Sequence, residues 1–219
     1  MSQTLLMIIG SPRLKKSTSY SLAEYLQKGL KQKGWNIHLF FSHQVVIKEQ
    51  DMKELINKIE HSDIIGIIFP LYVDSIPGPL IQVLEKLGEQ KTKRTDQKIF
   101  TIVNSGFPEP HQSQLAVDMI KDFSKEYQAN FIGGLTIGAG GVIGGKPIEQ
   151  IKHRSKRLIT ALDLAIESLG QTKTLSKKAE KILLKPIFPK ILYNIFANMS
   201  WKKRSKRYGS PNLYQTPDK

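Results

Sequence analysis

At 219 residues, 40% of them hydrophobic and 24% charged, the chain is long enough to bury one full core and has an ordinary globular composition. The absence of cysteine excludes disulfides, thiolate metal sites, iron–sulfur ligation and a cysteine nucleophile. The formal net charge of +14 is unevenly placed: residues 170–219 carry 12 Lys/Arg against two acids and residues 1–169 carry 21 against 17, so the basicity belongs mainly to a tail.

The start, Met1-Ser2-Gln3-Thr4, has no basic stretch, and the apolar run behind it, Leu5-Leu6-Met7-Ile8-Ile9, is too short for a signal or a membrane span, so a cytoplasmic protein is expected. That run reads as a first strand over residues 5–9. A proline-closed turn follows, Gly10-Ser11-Pro12-Arg13, then Ser17-Thr18-Ser19 and a helical pattern over 19–33, with Gly34 as its stop. Strand, turn and helix start in that order make a seat for a phosphate, because the first turn of a helix has free N–H groups and a positive dipole. Ser and Thr are also favoured N-caps, so the segment alone supports a cap and a cradle alike. The turn lacks the three glycines of a dinucleotide fingerprint and the Gly-Lys of a P-loop; its hydroxyls and Arg13 suit a terminal monophosphate, of which flavin mononucleotide (FMN) is an example.

Further strands are predicted over 36–41, 64–69, 99–104 and 130–137, each rich in Ile, Val, Leu and Phe with little polar alternation, as in parallel strands covered on both faces. Helices are predicted over 51–61, 79–87, 113–127 and 148–168, with Pro79 and Pro147 where helices can begin. Five β-α units in strict alternation imply a doubly wound α/β/α sandwich, five parallel strands in the flavodoxin-like order 2-1-3-4-5. The ligand then lies beyond the carboxyl ends of strands 1 and 3. Three turns converge there besides the first. Pro70-Leu71-Tyr72-Val73-Asp74-Ser75-Ile76-Pro77-Gly78 is stiffened by proline and offers an aromatic ring; Asn104-Ser105-Gly106-Phe107 offers close backbone approach and a second ring; Gly138 to Gly145 is glycine-rich. The five histidines show no metal-ligand spacing, and no metal is expected.

Gly10-Ser11-Pro12-Arg13 with Ser17-Thr18-Ser19, and Pro70-Leu71-Tyr72 with Ser75-Ile76-Pro77-Gly78, resemble the phosphate and flavin loops of the NAD(P)H-dependent FMN reductase and flavodoxin-like flavoprotein group. The likeness spans about residues 3–169. It implies that Ser11, Arg13, Ser17, Thr18 and Ser19 hold the FMN phosphate, that Pro70, Leu71, Tyr72 and Val73 line the ribityl chain and ring edge, and that Asn104, Ser105, Gly106 and Phe107 face the isoalloxazine. It further implies NAD(P)H as hydride donor, a quinone, nitro or azo compound or free flavin as acceptor, and a homodimer. The iron–sulfur subgroup is excluded for want of cysteine, and the Asp-Arg pair often found after the flavin loop is here Glu85-Lys86. Since flavin itself carries the hydride chemistry, no general base is required. Two other readings are an FMN-binding electron carrier without a nicotinamide site and a non-catalytic binding protein of the same fold.

On these grounds residues 1–169 form the FMN-binding domain and residues 170–219 an extension. Within the extension Leu183, Leu184, Ile187, Phe188, Ile191, Leu192, Ile195, Phe196 and Met199 recur at helical spacing before the cation cluster 202–207, and Pro186 and Pro189 divide a short lead-in from a main helix. Three roles are open to it: packing on its own or a neighbouring subunit; lying on anionic lipid through residues 183–207, with Trp201 and Tyr193 at head-group depth; or meeting nucleic-acid phosphates, the least supported because no reading module accompanies the cations.

Overall fold

A computed structural model describes residues 3–90, 94, 96–154, 156–187 and 190–209. The strands are β1 (Thr4–Ile9), β2 (Asn36–Phe41), β3 (Ile64–Pro70), β4 (Lys98–Asn104) and β5 (Asn130–Ile137). All pair in parallel in the order β2-β1-β3-β4-β5, the flavodoxin-like arrangement. The helices are α1 (Thr18–Gln32), α2 (Ser42–Val45), α3 (Glu49–Glu60), α4 (Gly78–Gln90), α5 (Gln114–Glu126), α6 (Lys156–Thr172), α7 (Lys177–Leu183) and α8 (Lys190–Arg207). None among the described residues is long and apolar enough to cross a membrane.

Alternate side chains of one apolar strand reach opposite faces. Leu5, Met7 and Ile9 of β1 join Leu22, Leu26 and Leu30 of α1 and Leu158, Leu162 and Leu169 of α6 in one core. Leu6 and Ile8 join Leu55 of α3, Leu80 and Val83 of α4 and Ile120 of α5 in the other. Each fully buried Leu or Ile contributes roughly 1.5–3 kcal/mol, which is why continuous apolar runs specify a covered sheet. Helix α1 ends in a Schellman motif: Gly34, at φ 81°, donates to Lys31 O at 3.0 Å and Trp35 N to Leu30 O at 3.2 Å.

The structure differs from the sequence prediction at several points, the short helices α2 and α7 among them. The single helix expected over 148–168 is divided into a 3-10 segment, Ile148–Arg154, in which Ile148 and Ile151 are buried, and α6. The core also reaches past residue 169: Leu175, Ala179, Leu183 and Ile187 pack with β5 and α6 in the same cluster as β1. Pro189 and Phe188 lie outside the described residues; α8 begins at Lys190.

Candidate functional site

At the carboxyl ends of β1, β3, β4 and β5 four loops enclose a cleft of about 170 Å³. β1 can stop there only with glycine: a Cβ on Gly10 would stand 2.6 Å from Phe69 Cβ, and the Gly10 amide still bonds Ile68 O at 2.8 Å. The turn then passes through Ser11, Arg13 and a 3-10 segment, Leu14–Lys16, into α1.

The hydroxyls at the start of α1 are committed to the fold. Ser17 caps the helix, its Oγ accepting from Tyr20 N at 3.1 Å and donating to Leu14 O at 2.6 Å. Thr18 Oγ1 donates to Gly140 O at 2.9 Å, and Ser19 Oγ donates to Asn104 Oδ1 at 2.8 Å. These two buried bonds staple the first loop to the loops after β5 and β4. The amides of Thr18 and Ser19, the first of α1, donate to no described residue. No acidic residue stands in that first turn, so the helix dipole is uncompensated, and exposed Arg13, Lys15 and Lys16 stand beside it. Two free amides, a guanidinium and the buried Ser11 hydroxyl form a donor set fitted to a phosphate dianion.

Opposite, Leu71 N donates to Asn104 O at 2.8 Å, tying the β3 loop to the β4 loop. Tyr72 and Ser75 exchange two backbone bonds of 3.0 Å around Val73 (φ 48°) and Asp74 (φ 54°), both left-handed. A β-branched residue at positive φ is strained, and the closed Tyr72–Ser75 bridge holds it there. In the β4 loop the Ser105 amide bonds Ile137 O at 2.9 Å, whereas the amides of Gly106 and Phe107 donate to no described residue.

Of the residues singled out in the sequence, Ser11, Arg13, Ser17, Thr18, Ser19, Pro70, Leu71, Tyr72, Asn104, Ser105 and Gly106 line this one cleft. Val73 does not: it is 99% exposed at the tip of the bridged turn. Phe107 stands outside the lining, with its carbonyl accepting from Ala139 N at 2.6 Å. Gly140, Gly141 and Gly144 complete the wall; the glycine run after β5 was the sequence signal for them. Tyr193 of α8 had none as a neighbour of the cleft: its hydroxyl donates to Gly106 O, and partial burial raises its pKa. It therefore faces the body. Lys86, one of the pair replacing Asp-Arg, bonds Glu89 at 3.0 Å on the exposed side of α4.

A doubly wound sheet with an anion seat at the switch between β1 and β3 defines a mononucleotide-binding α/β protein. The family model for NADPH-dependent FMN reductases matches residues 4–142, and the chain belongs to that family. It is a flavin-dependent oxidoreductase with FMN as its cofactor. Among solved structures it is similar to an NADH:FMN oxidoreductase in apo form (15% identity, TM-score 0.59, 80% of this chain and 91% of that one). It is also similar to an FMN-dependent NADH-azoreductase from Bacillus anthracis in complex with FMN (12%, 0.57, 77% and 100%). A third is an NAD(P)H:quinone oxidoreductase from Methanothermobacter marburgensis (14%, 0.54, 64% and 86%). At these identities the likeness is one of fold. No curated protein sequence matches the chain.

Proposed function

We propose that the chain is an FMN-dependent NAD(P)H oxidoreductase that passes a hydride through bound FMN to a small acceptor: a quinone, a nitro or azo compound, or free flavin. The observation that carries this reading is the convergence on one cleft of the free Thr18 and Ser19 amides, Arg13 and the Leu71-Tyr72 and Asn104–Gly106 loops. FMN, when bound, supplies hydride acceptance and donation at its ring.

The chain's own residues bind and orient. Arg13, Ser11 and the α1 amides hold the phosphate by charge-assisted bonds. Ser17, Thr18 and Ser19 fix the geometry of that seat through the cap and the two buried staples. Tyr72 offers a ring and Asn104 an amide side chain along the ligand. The free Gly106 amide is a donor for negative charge at the ring edge.

The test is anaerobic. NAD(P)H added to the FMN-loaded protein should bleach its yellow colour, and the acceptor should restore it in a ping-pong pattern. Colour that persists until a partner reductase is added indicates an electron carrier and refutes the oxidoreductase reading; failure to retain FMN refutes the site. A cytoplasmic homodimer accompanies the proposal, with a second subunit completing the outer face of the site; a monomer by sedimentation at working concentration would remove that part.

A further inference from the structure

Helix α8 lies beyond the residues matched by the family model and has 18 residues with no Asp or Glu. Its connection to the body is secured by Ile187, buried in the main core, and by Arg157, which donates to Pro186 O at 2.7 Å. Tyr193 then pins the helix beside the cleft: it bonds Gly106 O, and a Cβ on Gly141 would stand 3.8 Å from its hydroxyl, both glycines being cleft wall. At about 100° per residue, Ile191, Ile195 and Met199 form a row facing away from Tyr193. They are 76%, 50% and 61% exposed. Lys202 and Lys206 continue the same row and Lys203 lies beside it, whereas exposed Trp201 and Arg204, whose guanidinium stands 6.0 Å over the indole ring, lie on other faces of the helix.

We propose that α8 docks on an anionic phospholipid surface and holds the cleft against it. Charge complementarity commits the face to lipid: an apolar row running into a block of cations without any acid matches a hydrocarbon boundary under anionic head groups. Among the described residues no helix is long and apolar enough to cross a membrane, so α8 rests on the surface. Tyr193 ties α8 to Gly106 O in the cleft wall, so docking of the helix brings the cleft to the surface. An acceptor dissolved in the bilayer then meets the site directly. The docking itself does not depend on the redox reading.

The experiment is co-sedimentation of the full FMN-loaded chain with vesicles of phosphatidylcholine alone or with a minority of phosphatidylglycerol. The chain should pellet with the anionic vesicles only and be released by salt. Neutralising Lys202→Gln with Lys206→Gln should lower the partition coefficient about 25-fold, about fivefold per cation. Ile195→Ser should weaken it while leaving every cation in place. No pelleting with anionic vesicles at low salt, or equal pelleting with the neutral ones, would overturn the proposal. So would vesicles being ignored while the chain self-associates through Ile195 or captures duplex DNA. The parental arm stands whatever the variants do.

Discussion

The same one-carbon change at two glycines should separate fold from site. In Gly10→Ala the new methyl would meet Phe69 Cβ at 2.6 Å and Leu80 Cδ2 at 2.7 Å, both on fully buried residues. The leucine tip can turn aside; Phe69 Cβ is fixed to β3. The turn must lift, at an overpacking cost of about 1–3 kcal/mol. It would strain the 2.8 Å bond from Gly10 N to Ile68 O, worth about 1 kcal/mol net. A loss of about 2–4 kcal/mol is expected, a large share of the roughly 5–15 kcal/mol typical of a domain. In Gly106→Ala the methyl meets nothing within 4 Å, so stability should stay within about 0.5 kcal/mol. Its methyl enters open space at the cleft wall, however, where a bound ligand would lose about 1–3 kcal/mol, or about five- to 150-fold in Kd. Urea unfolding and titration of apo protein against FMN fluorescence read the two effects separately. A Gly10→Ala protein as stable as the parent would refute the close approach, and a Gly106→Ala protein with unchanged FMN affinity would refute the placement of the ligand.

Arg13→Ala should weaken FMN binding by about tenfold or more, since a hydrogen bond to a charged group contributes about 1.5–3 kcal/mol, with partial recovery in Arg13→Lys; an unchanged Kd would remove Arg13 from the phosphate seat. Ser17→Ala should cost about 1 kcal/mol of stability in urea through loss of the α1 cap, and a neutral outcome would contradict the bond from Tyr20 N. Tyr193 has a folded pKa raised above its unfolded value of 10.0 by partial burial. Its contribution is therefore complete below pH 10 and lost as pH rises through the folded pKa. A tyrosine titration of the parent minus that of Tyr193→Phe should show one group ionising late; a group at the ordinary position would show that Tyr193 does not face the body. The same variant should expose α8 to faster cleavage by trypsin at neutral pH, read as the rate of tail loss.

Much of the architecture was legible because its causes are local. Ile64 to Phe69 is apolar at every position, which only a strand covered on both faces requires, and Gly34 supplies the left-handed residue that ends α1. The loops of the cleft announced themselves by Ser11, Arg13, Pro70 and Gly106 at strand ends, and the order of the sheet followed from strict alternation. Other features depend on partners far along the chain. Thr18 and Ser19 read locally as cap or cradle, and only the folded sheet brings Gly140 O and Asn104 Oδ1, 122 and 85 residues away, to accept hydrogen bonds from their hydroxyls. The same holds for Val73, whose left-handed backbone is imposed by the Tyr72–Ser75 bridge against its own preference. It holds too for Tyr193, one aromatic among several in an apolar stripe until α8 was set beside Gly106. Propensity and pattern are properties of neighbours in sequence, whereas hydrogen-bond partners across the sheet are properties of topology, and the free donors of the cleft are what remains after topology has assigned the rest.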